Sequence, residues 1–473
     1  MAAAASSVSL KLLIDTKSCK VLFAEANKST VDFLFHVLSL PVGTVIRLLG
    51  KQGMVGCVAN LYESIESLNE TYIQPNQSKD TLLKPKAAAS IPLLSLNDGQ
   101  TEAVFYRCSR GYNCNYVSDD PKAKCPQCKN VMTNSMTYVA PPAVKEAAAG
   151  DEGGFVKGVV TYMVMDDLVV KPMSTISSIA LLNRFNVKEV GALEEKEVNL
   201  GMNEALMLLK ASFESKTVLT NVFLKNTGKM KDSLAATFSE SNLAMASAAS
   251  KVSLKLLIDT KSRKVLFAEA NKSTVDFLFH ILSLPVGTVI RLLGKQGMVG
   301  CVANLYESIE SLNETYIQPK QSKDTLLKPR APASIPLLSL HDGQTEAVFY
   351  RCGFGYNCNY VSDDHRAICP QCKNVMTNSM KYVAPPAVKE AAAGDEGGFV
   401  KGVVTYMVMD DLVVKPMSTI SSIALLNRFN VKEIEALEEK EVILGMNEAL
   451  KLLKTSLESK CVLTNVFMKS AGK

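Results

Sequence analysis

The sequence predicts an α+β protein made of two near-identical tandem units, each with β-hairpin–helix segments and a small module that carries four cysteines. Three observations predict this fold class. Residues 8–229 align with residues 252–473 without a gap, so the chain contains one unit twice. Within each unit, short apolar runs typical of strands alternate with apolar residues at helical spacing. The four cysteines recur in both units with the same spacing, C-x5-C-x10-C-x2-C.

The composition is that of an ordinary globular protein. The 473 residues are 47% hydrophobic and 21% charged, with no Trp and a formal net charge of +5. This charge is mild and interleaved with acidic residues, so it does not by itself indicate a nucleic-acid-binding protein. The sequence shows no secretory leader and no apolar run near the roughly 18–20 residues that a membrane helix needs. We therefore expect a cytoplasmic or nuclear protein with no membrane segment.

The predicted domain boundaries follow the repeat. The first unit spans residues 8–229 and the second residues 252–473, with a linker at 230–251. Each unit is divided into a hairpin–helix segment, a four-cysteine module and a second α/β segment, at 8–74, 93–139 and 154–226, and again at 252–318, 337–383 and 398–470. Near the joint, the stretch that begins at Met245 is similar to the stretch that begins at Met1. We interpret this as a head-to-tail fusion of two genes, or as two gene models merged into one.

The first segment of each unit is predicted to begin with a β-hairpin. Apolar runs at residues 10–14 and 21–24 flank a polar turn headed by Asp15, which is typical of two antiparallel strands. Ser29 or Thr30 is then predicted to cap a helix. That helix has apolar residues at i, i+3, i+4 and i+7: Val31, Leu34, Phe35 and Leu38.

A glycine-rich stretch, Gly50-Lys-Gln-Gly53, lies between two predicted helices. Such a loop can hold phosphate on its backbone amides, and it resembles the GxxG loop of the KH modules that bind nucleic acid. It matches neither of two common phosphate-binding patterns, G-x-G-x-x-G and G-x-x-x-x-G-K-[ST]. The simpler interpretation is the end of one helix and the close packing of the next.

The four-cysteine module carries the most specific chemistry in the sequence. Four thiolates suit Zn²⁺, which prefers a tetrahedron of sulfur and nitrogen ligands. A Cys-Pro-Gln-Cys pair places two sulfurs on one tight turn, and the ten residues before it allow the chain to return as a hairpin. We therefore predict one structural zinc ion per unit, in a zinc-ribbon-like site. The predicted ligands are Cys108, Cys114, Cys125 and Cys128 in the first unit, and Cys352, Cys358, Cys369 and Cys372 in the second.

Four alternatives for these cysteines are weaker. Disulfides are unexpected without a secretory route. An iron site of the rubredoxin type uses two C-x-x-C pairs, and each unit has one. A redox-active C-x-x-C pair belongs on a helix that follows a strand, which the neighbouring sequence does not indicate. A catalytic zinc keeps one position open for water, whereas four thiolates fill the shell.

No catalytic set stands out in the sequence. His36 and His280 occupy the same position on an apolar helix, where a single histidine more often belongs to the core. The other candidates are carboxylates at or beside turns and one cysteine at a helix start: Asp15, Glu25, Asp166, Asp167 and Cys57. Local hydrogen bonding explains Asp at turns, and cysteine is often buried. The sequence leans towards a protein that is not an enzyme and leaves the question open.

Several stretches together resemble one known family. They are KLLIDTKSCKVLFAEANKSTVDFLFHVLSLPVGT, FYRC…CPQC, GGFVKGVVTYMVMDDLVVKPMSTISSIALLN and GMNEALMLLKASFESKTVLTNVF, each with a counterpart in the second unit. In these stretches the chain resembles two tandem copies of the plant-specific family labelled domain of unknown function 674. The resemblance implies a land-plant protein and implies no particular activity.

Three functional hypotheses follow. The first is a non-enzymatic, zinc-stabilised interaction or scaffold protein whose partner is another protein. The alternative is a nucleic-acid-binding protein that uses the zinc module and the GKQG loops, which contain Lys51 and Lys295. Loop side chains of the module could stack on or pair with a nucleic acid: Tyr112, Tyr116 and Lys122, or Tyr356, Tyr360 and Arg366 in the second unit. The third is an uncharacterised enzyme with a cleft that gathers Asp15, Glu25 and His36.

Overall fold

The computed structural model describes most of both units. The described residues are 8–75, 77–85, 104–108, 114–118, 123–139, 155–158, 160–174, 181–185, 187, 189–224, 252–319, 321–329, 348–352, 358–362, 367–383, 398–402, 404–418, 425–429 and 434–468. They contain both helices and strands in two tandem repeats, which confirms the predicted fold class. Among these residues, no helix is both long enough and apolar enough to cross a membrane.

The two repeats contain the same elements in the same order. The strands of the first repeat are β1 (Val8–Asp15), β2 (Lys20–Ala26), β3 (Val104–Arg107), β4 (Tyr116–Ser118), β5 (Asn134–Tyr138), β6 (Tyr162–Met165), β7 (Val170–Pro172) and β8 (Leu193–Leu200). Its main helices are α1 (Lys28–His36), α2 (Val42–Leu49), α3 (Val58–Ser67), α4 (Asp80–Leu83), α5 (Met202–Glu214) and α6 (Val218–Phe223).

The second repeat repeats this order. Its strands are β9 (Val252–Asp259), β10 (Lys264–Ala270), β11 (Val348–Arg351), β12 (Tyr360–Ser362), β13 (Asn378–Tyr382), β14 (Tyr406–Met409), β15 (Val414–Pro416) and β16 (Leu437–Leu444). Its main helices are α7 (Lys272–His280), α8 (Val286–Leu293), α9 (Val302–Ser311), α10 (Asp324–Leu327), α11 (Met446–Glu458) and α12 (Val462–Phe467).

The β1–β2 hairpin forms where the sequence predicts it. Asp15 organises the turn, because the amide of Lys17 donates to its Oδ1 at 3.0 Å and the hydroxyl of Ser18 donates to its Oδ2 at 2.7 Å. The chain then passes through Cys19 with φ of 52°, the left-handed conformation that closes the turn. These local hydrogen bonds are the reason for Asp at this position.

A different residue caps helix α1 from those the sequence predicted. Asn27, rather than Ser29 or Thr30, is the N-cap, and its side-chain oxygen accepts from the amide of Thr30 at 3.1 Å. Strand β2 ends at Ala26, which leaves Asn27 in an extended conformation directly before the helix. Ser29 and Thr30 therefore lie within the first turn.

Each repeat contains one five-stranded antiparallel sheet. The strand order is β7-β6-β2-β1-β8 in the first repeat and β15-β14-β10-β9-β16 in the second. Alternate residues of β1, Leu10, Leu12 and Ile14, are buried on one face, as expected because successive side chains of a strand point to opposite sides. Helices α1, α5 and α6 of the same repeat contribute side chains to this buried face.

A helical arm from the other repeat completes the buried face of each sheet. The first arm, residues 58–83, comprises α3 and α4, and the second arm, residues 302–327, comprises α9 and α10. The first arm and strand β9 of the second repeat share one buried core: Val58, Leu61, Ile65, Leu254, Leu256 and Ile258. The second arm and strand β1 share the other: Val302, Leu305, Ile309, Leu10, Leu12 and Ile14. The repeats have thus exchanged their arms.

Hydrogen bonds fix each arm against the other repeat. The hydroxyl of Ser64 accepts from the amide of Val414 at 2.9 Å, and the side-chain amide of Asn60 donates to the carbonyl oxygen of Asp411 at 2.8 Å. The reciprocal pairs, at 2.9 and 2.7 Å, are Ser308 with Val170 and Asn304 with Asp167. Because buried amides need an acceptor, these bonds align the first arm with the β14–β15 turn and the second arm with the β6–β7 turn.

The two repeats cross just before α2 and α8. The amide of Val42 donates to the carbonyl oxygen of Leu284, and the amide of Val286 donates to that of Leu40, both at 2.9 Å. A Cβ on Gly43 would lie 3.0–3.1 Å from two carbonyl oxygens, one from each repeat. Glycine at this position therefore allows the two backbones to approach each other.

The strands of the two cysteine modules form one closed barrel of six strands, in the order β11-β12-β5-β3-β4-β13. Strands of the same module pair antiparallel, and the modules join through the parallel pairs β5–β12 and β4–β13. The barrel interior contains side chains from both repeats: Phe105, Val117, Met136, Phe349, Val361, Met380 and Tyr382. The segment boundaries predicted from the sequence stay predictions. The packing shows that each helical arm contacts the sheet of the other repeat, and that the two cysteine modules share one barrel.

We predict that the Ser64→Ala substitution will speed hydrogen exchange at the amide of Val414, because that buried amide loses its acceptor. A lost buried hydrogen bond costs about 1–3 kcal/mol, so we expect an increase of roughly tenfold. The measurement is mass spectrometry of exchanged peptides in a Lys415→Arg background. That exposed substitution gives the second-repeat peptide a different mass from its identical first-repeat counterpart.

The matched control is Ser308→Ala, which should speed exchange at Val170 instead. Suppose instead that Ser64→Ala speeds hydrogen exchange around Val170 and not around Val414. Each arm would then pack on the sheet of its own repeat, and the arms would not be swapped between repeats.

Candidate metal centre

The Cys-Pro-Gln-Cys pair forms a tight knuckle in each module. In the first module the amide of Lys129 donates to the carbonyl oxygen of Cys125, and the amide of Cys125 donates to that of Asn130, both at 2.8 Å. Lys129 has φ of 60°, a left-handed conformation that turns the chain and directs the amide of Asn130 towards the sulfur of Cys128. Such amide-to-sulfur hydrogen bonds stabilise a thiolate.

The other two cysteines lie at the ends of a pair of strands. Cys108 directly follows β3, and Cys114 lies two residues before β4. These strands are antiparallel, with Tyr106 opposite Ser118. The pairing brings the two cysteines back to the same end of the module, which compensates for the long five-residue spacing between them. Residues 109–113, which join them, lie outside the described residues.

The four sulfurs of each module converge. Cys108, Cys114, Cys125 and Cys128 have sulfur atoms that all lie within 4.8 Å of one another, and the same holds for Cys352, Cys358, Cys369 and Cys372. A zinc–sulfur distance near 2.3 Å places tetrahedral sulfurs about 3.8 Å apart. The sulfurs of Cys108 and Cys128 are 3.0 Å apart and would have to separate by under about 1 Å. Each cluster could therefore hold one metal ion.

The four thiols of a cluster have unequal proton affinities. The hydrogen bond from Cys108 and the amide of Asn130 lower the pKa of the Cys128 thiol to about 7. Burial, followed by interaction with its neighbouring cysteines, raises the pKa of Cys114 to about 12. The second cluster shows the same pattern, at Cys372 and Cys358. One thiolate of each cluster therefore forms readily, and a cation is needed to hold four together.

Apolar side chains surround both clusters. The first cluster packs against Ala123, Met132, Tyr106, Tyr116 and Val383, and the second against Ala367, Met376, Tyr350, Tyr360 and Val139. Val383 and Val139 come from the opposite repeat. No signal in the sequence could have assigned these two valines to the clusters, because they reach them through the parallel strand pairs of the barrel.

The residues of the nucleic-acid hypothesis are partly engaged elsewhere. Lys51 forms ion pairs with Glu63 at 2.7 Å and Glu66 at 3.3 Å, and Lys295 forms the same pairs with its own arm. Gly50, with φ of 70°, ends helix α2, which is the simpler interpretation of the GKQG loop. The module residues Tyr116 and Tyr360 pack against the clusters. The remaining module candidates, Tyr112, Lys122, Tyr356 and Arg366, lie outside the described residues.

The residues of the enzyme hypothesis are not gathered. Glu25 pairs with Lys11, four residues along β1 from Asp15, which is about 13 Å at roughly 3.3 Å per residue. Glu25 also points to the sheet face opposite the one that α1 covers, because its neighbours in β2 share a core with α1. His36 lies at the end of α1, with Nδ1 2.6 Å from the carbonyl oxygen of Asp32.

The remaining candidates have structural roles. Asp166 accepts hydrogen bonds from the amide and the hydroxyl of Thr220, both at 2.8 Å, and burial raises the pKa of its carboxyl group. The carbonyl oxygen of Asp167 accepts from Asn304 of the second arm. Burial also raises the pKa of the Cys57 thiol, so this cysteine is not activated as a nucleophile.

Comparison with known proteins shows the family of the chain and nothing of its activity. No curated protein matches the chain, and no solved structure matches it. Two stretches, residues 4–247 and 248–473, match the model of one family, which is described as Protein of unknown function (DUF674). Because the two matches together span nearly the whole sequence, the chain belongs to this family and contains two tandem copies of its unit.

Proposed function

We propose that each repeat binds one structural Zn²⁺ through its four cysteines, and that the protein is a non-enzymatic interaction or scaffold protein. The observation that carries the proposal is the convergence of four sulfurs within 4.8 Å in each module. Four thiolates are the donor set that suits zinc best, and they leave no tetrahedral position for water or substrate. The proposed role of the metal is therefore to hold the barrel together.

The cysteines also support a reducing location. The eight clustered cysteines converge as two sets of four rather than as disulfide-bonded pairs. Zinc–thiolate sites persist where disulfides are rare, which is the condition of the cytosol and the nucleus. We propose that the protein acts in one of these compartments, in a plant cell as the resemblance implies.

A protein partner fits better than a nucleic acid. Lys51 and Lys295, the cations on which the nucleic-acid hypothesis depends, are already paired with glutamates of their own arms. Binding a phosphate would require these ion pairs to break or to be shared. We therefore propose that the barrel presents a rigid surface to another protein.

We predict that the purified full-length protein contains about two zinc ions per chain. Cys125→Ser should lower this to about one, and Cys125→Ser combined with Cys369→Ser to about zero, because three remaining thiolates bind zinc more weakly. The measurement is metal analysis by mass spectrometry after dialysis. The matched control is Cys19→Ser, an exposed cysteine outside both clusters, which should leave two ions bound. Wild-type protein that retains no zinc would refute the metal proposal.

We also predict that a chelator will loosen the barrel and spare the two large sheets. Hydrogen exchange should become faster in peptides that contain β3 and β5, and unchanged in peptides that contain β1 and β2. The reason is that the interior of the barrel is a separate buried cluster from the cores of the sheets. Uniformly faster exchange across the chain would contradict this separation, and unchanged exchange in the barrel would contradict a structural role for the metal.

A further inference from the structure

Each metal centre is supported by a strand from the opposite repeat. Val139 follows β5 of the first repeat and packs against the second centre, and Val383 follows β13 and packs against the first. Their amides donate hydrogen bonds of 2.7 Å to the carbonyl oxygens of Val361 and Val117 respectively. The acceptors belong to β12 and β4, the short strands that follow the ligands Cys358 and Cys114. The support is therefore reciprocal.

A side-chain hydrogen bond also joins two residues that are adjacent in sequence to cysteines of the two centres. Arg107 directly precedes the ligand Cys108, and Asn359 directly follows the ligand Cys358. Nη2 of Arg107 donates to Oδ1 of Asn359 at 3.1 Å. The carbonyl oxygen of Asn359 also accepts from the amide of Thr137, at 2.8 Å. The position of Cys358 therefore depends on two residues of the first repeat.

The two modules share one packed interior. The rings of Phe105 and Phe349 are 4.9 Å apart, and each residue lies three positions before the first ligand of its module. Closely packed interiors transmit displacement, because side chains have little free volume to absorb it. A shift of β3 at the first centre is therefore expected to move β11 at the second.

We propose that metal binding at the two centres is positively coupled, so that losing the metal from one centre weakens binding at the other. This inference rests on the proposed zinc-binding function. A metal at the first centre fixes the Cys125–Cys128 knuckle, which is followed by β5, and β5 holds β12 beside Cys358. Without that metal, β5 gains freedom and the second cluster loses its support. Thermodynamic linkage makes the effect equal in both directions, and coupling factors of roughly 5–150 are typical.

The test measures how fast the cysteines of each centre are alkylated in the zinc-loaded, full-length protein. Thiolates bound to zinc are protected, and mass spectrometry can distinguish the centres. Trypsin releases different knuckle peptides, residues 125–129 and 367–373, because Lys124 of the first repeat is Ile368 in the second. In Cys125→Ser, which removes a ligand from the first centre, we expect Cys369 and Cys372 to react roughly 5–150-fold faster than in the wild type.

Two further variants leave all eight ligands in place. Val139→Ala should speed alkylation of the second-centre peptide, and Val383→Ala that of the first-centre peptide. The control is Val104→Ala, which changes an exposed valine at the start of β3 and should affect neither peptide. If neither variant speeds alkylation at the opposite centre, the contacts proposed to carry the coupling have no effect. These two variants therefore test the coupling even if Cys125→Ser fails to fold.

The outcomes separate the coupling from the metal proposal. Faster alkylation at the distant centre supports the coupling. Unchanged alkylation there, in variants whose metal analysis shows zinc still bound, overturns the coupling and leaves zinc binding intact. Absence of zinc from the wild-type protein overturns both.

Discussion

The rest of the structure depends on the crossing of the two repeats at Pro41 and Pro285. The backbones pair there through the reciprocal hydrogen bonds of Val42 and Val286, which lie at the start of α2 and α8. Beyond this point the arm of each repeat packs on the sheet of the other repeat and covers its buried face. A sheet with no arm over it would expose that apolar face to water, at a cost of roughly 25 cal/mol for each square ångström. In this structure each sheet therefore depends on the arm of the other repeat.

The exchange has a simple advantage in a tandem chain. Two separate units that exchange arms must meet by diffusion, whereas repeats on one chain are held at a high effective concentration by the linker that joins them. The barrel also depends on contacts between the repeats. Its parallel pairs β5–β12 and β4–β13 each join strands of different repeats. The arms and the barrel together make the tandem pair one structural unit.

The sequence predicts the local structure well, because local causes determine it. Asp15 makes its turn through hydrogen bonds to residues two and three positions away, and the Cys-Pro-Gln-Cys knuckle closes within six residues. The packing of each arm on the other repeat could not be predicted, because the two repeats have the same hydrophobic pattern. The face that receives Val58 is Leu254, Leu256 and Ile258, and its counterpart in the first repeat has the same side chains at residues 10, 12 and 14. Similarly, the spacing of cysteines contains no information about a strand from another repeat.

The size of the barrel explains why a metal would be needed there. The two large cores contain many buried helices and strands, whereas the described interior of the barrel has five buried side chains, among them Phe349 and Met380. Small cores rarely supply more than a few kcal/mol, and small natural modules often add a metal for this reason. A metal ion bound by four thiolates would add strong bonds where β3 leads into Cys108 and where β11 leads into Cys352, and so would offset the small apolar core. Because those strands also share one interior, a metal at either centre would stabilise the whole barrel.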